Sequence, residues 1–302
     1  MPQVLAGRGW VAKARAVGLC WLPTDTLIAA YLIGIAGLIL LYRPQIPGAG
    51  MLLALHAAGI GLMLVLAGAD RLRDPVLWVL RHWYPLPYVA ACYREMAILI
   101  PAVRRLSYDA VLARLDEWLW GVNPVLWIGS LHRPWLTELL QIVYVLFFAV
   151  VLLVAGVLWR RGRLDEFRFY AFVISLGFLV TYLGYLLVPV RGPRFFLESL
   201  HTAPLQGLWL FSPLREVIDR LESVHYDCFP SGHVALTLLA CWGARWISPA
   251  LARLYWIYAA CMVFSTVYLR YHYTVDLVAG ALLALAIRAG APRLYGRSRE
   301  GD

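Results

Sequence analysis

Eight long apolar runs leave this chain few ways to fold. They are Thr26–Tyr42, Gly50–Gly68, Tyr84–Val103, Pro134–Trp159, Glu166–Val190, His233–Ile247, Ala250–Arg270 and Thr274–Ala291. A helix that crosses a bilayer needs about 20 mostly apolar residues, because each contributes about 1.5 Å toward about 30 Å of hydrocarbon. The chain is 62% apolar and 15% charged, against about 25% charged in soluble domains. So much apolar surface has no place in one aqueous core, and lipid must be its solvent. In lipid the backbone must satisfy its own N–H and C=O groups, so the runs are expected to be helical. The predicted fold is all-α: a polytopic transmembrane helix bundle of about eight spans. No small-residue cleavage site follows the first run, which is read as a retained anchor rather than a signal peptide.

Basic residues orient the bundle. Lys13 is the single lysine among 27 basic residues, and the formal charge is +9. Arg8, Lys13 and Arg15 precede the first span, and Arg71 and Arg73 follow the second. Arg160, Arg161, Arg163 and Arg168 bracket the fourth-to-fifth connection. Arg245 and Arg253 mark the sixth-to-seventh, and Arg288, Arg293, Arg297 and Arg299 the tail. With eight spans all five groups share one side, which the positive-inside rule makes cytoplasmic, together with both termini. The connection from Arg191 to Pro230 instead sets Arg191, Arg194, Arg215 and Arg220 against Glu198, Glu216, Asp219, Glu222 and Asp227. It is expected on the non-cytoplasmic face of a plasma (inner) membrane. No long basic run exists, so no nucleic-acid partner is implied. Cys20, Cys92, Cys228, Cys241 and Cys261 are scattered without CxxC spacing, which suggests neither a disulfide framework nor a zinc site. Cys228 reads as a small packing residue rather than a nucleophile.

Two outer segments are amphipathic. Ser212 reads as an N-cap with Pro213 at the first helical position, followed by an apolar face of Leu214, Val217, Ile218, Leu221 and Val224. In Leu106–Trp120 the apolar set is Val111, Leu112, Leu115, Trp118 and Leu119. Such helices either lie in the headgroup layer or pack on the bundle.

Two strings place histidines beside apolar runs, where an imidazole is costly without a task or partner. In His272-Tyr273-Thr274-Val275-Asp276 a spacing of four sets His272 and Asp276 on one helical face. The carboxylate then accepts from one ring nitrogen and leaves the other as a basic lone pair. A structural ion pair closing a helix end is the alternative. In Pro230-Ser231-Gly232-His233 the proline stops an incoming helix, Ser231 is a natural N-cap, and Gly232 permits close approach of a ligand. The free N–H groups of that first turn suit an anion, with His233 placed to protonate a leaving oxygen. A capped helix with an interfacial histidine is the alternative there. Arg191-Gly192-Pro193-Arg194 ends the fifth span, and Arg270 lies two before His272; guanidinium groups suit bidentate phosphate contact, though arginines also snorkel at helix ends. No cluster in the sequence has metal-ligand spacing, so neither metal nor cofactor is expected.

Taken together these strings resemble the type 2 phosphatidic acid phosphatase superfamily, in the branch that includes inositol phosphorylceramide synthase. Pro230-Ser231-Gly232-His233 stands at the family's second motif, His272-x-x-x-Asp276 at its third, and Arg191-Gly192-Pro193-Arg194 at a version of its first. Asp116-x-x-Leu119-x-Gly121-x-Asn123-Pro124 is similar to a segment seen ahead of the core in this branch. Two departures stand out: the first motif has no lysine, and Thr266 replaces the arginine often found six before the nucleophile. Both fit the synthase-like branch. The resemblance implies a six-helix core and metal-independent phosphoryl transfer. His272 would form a phosphohistidine, Asp276 would orient it, and His233 would act as acid and then base. Arg194, Arg270, Ser231 and Gly232 would hold phosphate oxygens, with Arg191 beside them.

The expected organisation is residues 1–80 as N-terminal membrane helices, 81–291 as the phosphatase- or phosphotransferase-like core, and 292–302 as a cytoplasmic tail. The expected partners are membrane lipids and a lipid phosphate: isoprenyl phosphate, phosphatidic acid or a phosphoglycerolipid. Water as acceptor makes the chain a lipid phosphate phosphatase. A lipid alcohol makes it a head-group synthase for phospholipid or sphingolipid. From another class comes a non-catalytic transporter or scaffold, with Glu95 and the interrupted pattern of His82–Pro87 along a path; a local pairing of Glu95 with Tyr93 or Arg94 is the plainer account.

Overall fold

A computed structural model of the chain describes residues 21–69, 74–104, 106–201, 204–221 and 224–296. Of the residues used above, Arg8, Lys13, Arg15, Cys20, Arg71, Arg73, Glu222, Arg297 and Arg299 lie outside it. All eight apolar runs are helical. In chain order the α-helices are α1 (Pro23–Leu41), α2 (Ala49–Ala69), α3 (Pro75–Trp83), α4 (Pro85–Val103), α5 (Asp109–Trp120), α6 (Pro124–Gly129) and α7 (Pro134–Val145). They continue with α8 (Phe147–Arg160), α9 (Leu164–Leu187), α10 (Pro193–Phe196), α11 (Phe211–Leu221), α12 (Gly232–Ala244), α13 (Pro249–Tyr268) and α14 (Thr274–Tyr295). Many open on a proline whose missing N–H costs nothing in a first turn. Asp74, Asn123 and Ser248 cap α3, α6 and α13 with side-chain oxygens.

Six of these helices, α1, α2, α4, α9, α13 and α14, are long and apolar enough to cross a membrane. The fourth predicted span is a pair, α7 and α8, bent by 40°. The sixth, α12, has 13 residues, or about 20 Å of helix, short of the bilayer core. It does not need lipid on all sides, because α8, α9, α13 and α14 pack around it. Its Val234, Ala235, Leu236, Leu239, Ala240 and Cys241 are buried, and the small members let its neighbours come close. The third run is a single span, with Pro85 and Pro87 in the first turn of α4 rather than breaking it.

The N-terminal helices attach to this bundle through buried polar groups. Arg81 donates to both oxygens of Asp25 at 2.9 and 2.6 Å, and the Tyr84 hydroxyl donates to the same carboxylate. Glu95 does not pair locally with Tyr93 or Arg94: it meets His56 Nε2 of α2 at 3.0 Å, while His56 Nδ1 contacts the Leu32 carbonyl of α1. Three helices share one polar contact, which outcompetes an arginine pointing elsewhere on its own helix.

Helix ends sort into two faces. At one, Arg163 and Arg161 donate to the carbonyls of Trp246 and Ile247, and Phe169 packs on Tyr295. At the other, the Arg191 turn and the starts of α12 and α14 meet.

Two surface segments correct or narrow the expectation. α11 begins at Phe211, so Ser212 and Pro213 fall inside its first turn. The cap comes from elsewhere: the Glu138 carboxylate accepts the N–H groups of Leu208, Trp209, Leu210 and Phe211. α5 is turned over. Of its predicted apolar stripe only Leu112 is buried, while Val111, Leu115, Trp118 and Leu119 face outward and Asp109 and Asp116 face the protein. Exposed apolar groups cost little against lipid, whereas the turns beneath α5 carry N–H groups that need acceptors.

Candidate active site

The chain reverses between α13 and α14 through Arg270, whose φ of 68° is left-handed, a conformation rare outside glycine and asparagine. The Thr266 carbonyl accepts the N–H groups of both Tyr271 and His272, at 2.9 and 3.1 Å. Asp276 Oδ2 then accepts the Tyr273 N–H at 2.9 Å, capping α14, and lies 3.4 Å from His272 Nδ1. The i, i+4 pair therefore forms as the spacing predicts. Cys228, 48 residues away, donates its thiol to the same oxygen at 2.8 Å. Asp276 Oδ2 thus takes three donors, while its buried Oδ1 has none.

α12 starts against α14. The Ser231 N–H donates to the Asp276 carbonyl at 3.1 Å, and Ser231 Oγ accepts from Val234 N–H. This approach requires Gly280, because a Cβ there would collide with the Ser231 carbonyl. His233, the second residue of α12, is wedged against Tyr144 and Phe147, with ring centroids 4.3 and 4.5 Å away. The His233 and His272 rings stand 5.9 Å apart. The third strand of chain is the Arg191 turn, where Val190 bridges Asp227 and Gly192 takes a φ of 91°.

These pieces enclose a cavity of about 190 Å³ lined by Tyr144, Arg191, Arg194, Asp219, Asp227, Cys228, His233, Tyr271 and His272. Of the residues singled out from sequence, His233, His272, Arg191 and Arg194 meet on its wall. Asp276 is fully buried behind His272. Ser231 and Gly232 are buried at the base of α12 and do not line it. Arg270 does not line it either. It is buried nearby, and burial followed by the charge of Arg215 lowers its pKa. Arg194 is bidentate to Asp219 of α11, both contacts at 2.7 Å, so an incoming anion competes with that carboxylate. Asp219→Asn is expected to lower KM for a phosphate substrate by a few-fold, the scale of a partly exposed pair; steady-state kinetics reads it, and an unchanged KM would place the anion away from Arg194.

Sequence reasoning overlooked several residues here. Cys228 was read as packing, yet it hydrogen-bonds Asp276 and the Tyr271 carbonyl and sits 3.4 Å from His272 Nδ1. Burial first, then Asp276, raises its pKa well above that of an ordinary thiol, which keeps the proton on sulfur. Among the described residues Cys228, His272 and Asp276 also hold donor atoms within 4.8 Å of one another, the one such trio that could hold a metal ion. Its hydrogen-bonded thiol suits an orienting role better than ligation. Asp227 was counted only as loop charge. It takes a hydrogen bond from Tyr93 at 2.6 Å, and burial raises its carboxyl above the usual range against the opposing pull of Tyr93 and His272. Asp109 and Asp116 were legible in principle, since a spacing of seven puts two acids on one helical face.

A membrane-type helical bundle that gathers two histidines, one of them carboxylate-backed, and two arginines at one cavity defines a narrow class of protein. The chain belongs to the PAP2 superfamily, whose family model matches residues 110–289, a superfamily of lipid phosphatases and phosphotransferases. Over 211 residues it is 27% identical to a PA-phosphatase related-family protein of Dictyostelium discoideum, covering 57% of this chain and 37% of that one. Over 66 residues it is 34% identical to an inositol phosphorylceramide synthase of Candida albicans, covering 22% of this chain and 14% of that one. The aligned segments span little more than a third of the first relative and less of the second. No solved structure matches.

Proposed function

We propose that this protein is an integral-membrane lipid phosphate phosphatase or phosphotransferase that works through a phosphohistidine on His272, at the non-cytoplasmic face. The observation that carries this reading is the approach of the His233 and His272 rings to 5.9 Å across one cavity edged by Arg191 and Arg194. With its Nδ1–H directed at Asp276, His272 presents the Nε2 lone pair to phosphorus. As the N–P bond forms, the P–O bond to the lipid alkoxide breaks, and His233 supplies the proton that the alkoxide takes. The acceptor oxygen then gives its proton to His233, bonds to phosphorus and releases His272. Arg191 and Arg194 stabilise the equatorial oxygens, with Arg270 and the N-terminal end of α12, which opens at Gly232 after its Ser231 cap, adding positive potential from behind the cavity wall. The substrate class is an isoprenyl phosphate, phosphatidic acid or a phosphoglycerolipid.

Purified protein incubated with these lipids should release inorganic phosphate, be inhibited by vanadate, and yield an acid-labile phosphoenzyme on rapid quench. Absence of that adduct during turnover would refute the covalent step. The head-group synthase is the second reading, favoured by the similarity to inositol phosphorylceramide synthase and by the missing lysine; turnover wholly dependent on an added lipid alcohol would select it. The transporter reading loses a feature, because Glu95 is engaged by His56.

Chelators are expected to leave turnover unchanged. Loss on chelation with recovery on adding a divalent ion would move the chemistry onto Cys228, His272 and Asp276. Asp276→Asn is expected to cost about 10- to 100-fold in kcat. An asparagine can keep its carbonyl at the Oδ2 position, with its NH₂ where Oδ1 now lacks a donor. The tautomer then survives, and the loss reflects the missing negative charge rather than a mis-set ring. A fall as large as that of His272→Ala would show that the carboxylate does more.

A further inference from the structure

α5 holds the site together from outside it, and we infer that Asp109 is a positioning residue that sets the Arg191 turn against the His272 loop. The inference rests on the reaction proposed above and adds a residue that no motif contains. Asp109 is 1% exposed, a cost that only full hydrogen bonding of a carboxylate offsets. It is fully engaged. Oδ2 accepts the Arg191 N–H at 2.9 Å and the Ser107 hydroxyl; Oδ1 accepts the Gly192 N–H at 2.9 Å and the Tyr273 hydroxyl at 3.1 Å. The first and third partners belong to the turn that carries the candidate phosphate arginines. The last is the neighbour of His272. One carboxylate thus joins Gly192 and Tyr273, 81 residues apart in sequence, on two segments that must share an ångström-scale geometry for in-line transfer.

Asp116, two turns further along the same face, acts alongside. It accepts the Thr274 N–H and hydroxyl at 2.8 and 2.7 Å and the Val275 N–H at 3.0 Å. It grips the start of α14 alone, whereas Asp109 spans both segments. That difference makes Asp109 the coupling residue. Its burial is not simply a by-product of core packing, because α5 sends only Leu112 of its large apolar side chains inward and leaves Val111, Leu115, Trp118 and Leu119 outside.

A purely structural carboxylate would affect how much protein folds, and a positioning one affects how well folded protein works. The test therefore uses full-length protein in detergent, with turnover expressed per folded molecule. Asp109→Asn, which replaces one acceptor by a donor facing N–H groups, should lower kcat about 10- to 100-fold with KM changed less than threefold. Amide exchange should rise together in residues 189–194 and 271–277 and nowhere else. Tyr273→Phe removes a single hydroxyl, keeps the fold, and should lower kcat several-fold in the same direction. Asp109→Glu should recover part of the rate. Unchanged kcat per folded molecule in Asp109→Asn and Tyr273→Phe, against an active wild type, overturns the inference alone. A wild type that forms no phosphoenzyme and is indifferent to His272→Ala overturns the proposed reaction, and the inference with it.

Discussion

His272→Ala should lower turnover by about 10⁴-fold or more while leaving the folded bundle intact, because removing a covalent nucleophile removes the reaction path rather than one stabilising contact. The side chain is 4% exposed, but besides Cys228 and Asp276 it faces the cavity and the His233 ring across it, so its removal takes out few packing contacts. The thermal midpoint should therefore move by only a few degrees, and phosphoenzyme labelling should vanish. Retention of even a tenth of the wild-type rate would transfer the nucleophile's role elsewhere. His233→Ala differs in kind: the phosphoenzyme should still form slowly with a good leaving group, such as an aryl phosphate, since the proposed reaction uses His233 only to carry protons.

The largest expected loss of stability lies far from this chemistry. Arg81→Ala leaves the fully buried Asp25 carboxylate with the Tyr84 hydroxyl and the Leu22 N–H as its donors. Removing one partner of a buried pair strands the other charge, a cost of about 3 to 5 kcal/mol. The measurement is an unfolding titration of the full chain in mixed micelles. Replacing both members by apolar residues, Asp25→Leu with Arg81→Met, should recover most of the loss, because no charge is then left to desolvate. A single variant less than 1 kcal/mol below wild type would mean water reaches Asp25.

Much of the architecture was readable because lipid imposes a strict grammar. Runs of apolar residues must be helical, and all eight are, the fourth as a bent pair. What hydropathy alone did not show is that α12 is short and enclosed. A helix enclosed by four others is apolar for the same reason as one facing lipid, so hydropathy counts both as spans. The amphipathic reading of α5 left two placements open. Its apolar stripe was recognised, but in a membrane protein that stripe has two possible neighbours, lipid or protein, and only the acceptor demands of the turns beneath it decide which.

The local parts of the site were equally legible: His272 with Asp276 at one helical turn, Ser231 as a cap, and arginines flanking a Gly-Pro turn. Spacing along a helix dictates such contacts, so sequence by itself determined an all-helical membrane bundle bearing two histidine motifs of the PAP2 type. Only the tertiary structure decided that Cys228 joins the His272–Asp276 pair, that Asp219 holds Arg194, that Ser231 and Gly232 stand behind the cavity, and that Asp109 ties two distant turns. Those contacts connect residues 25 to 164 positions apart. No periodicity encodes such partners, because they are chosen by which donors and acceptors the packed helices leave facing each other away from water.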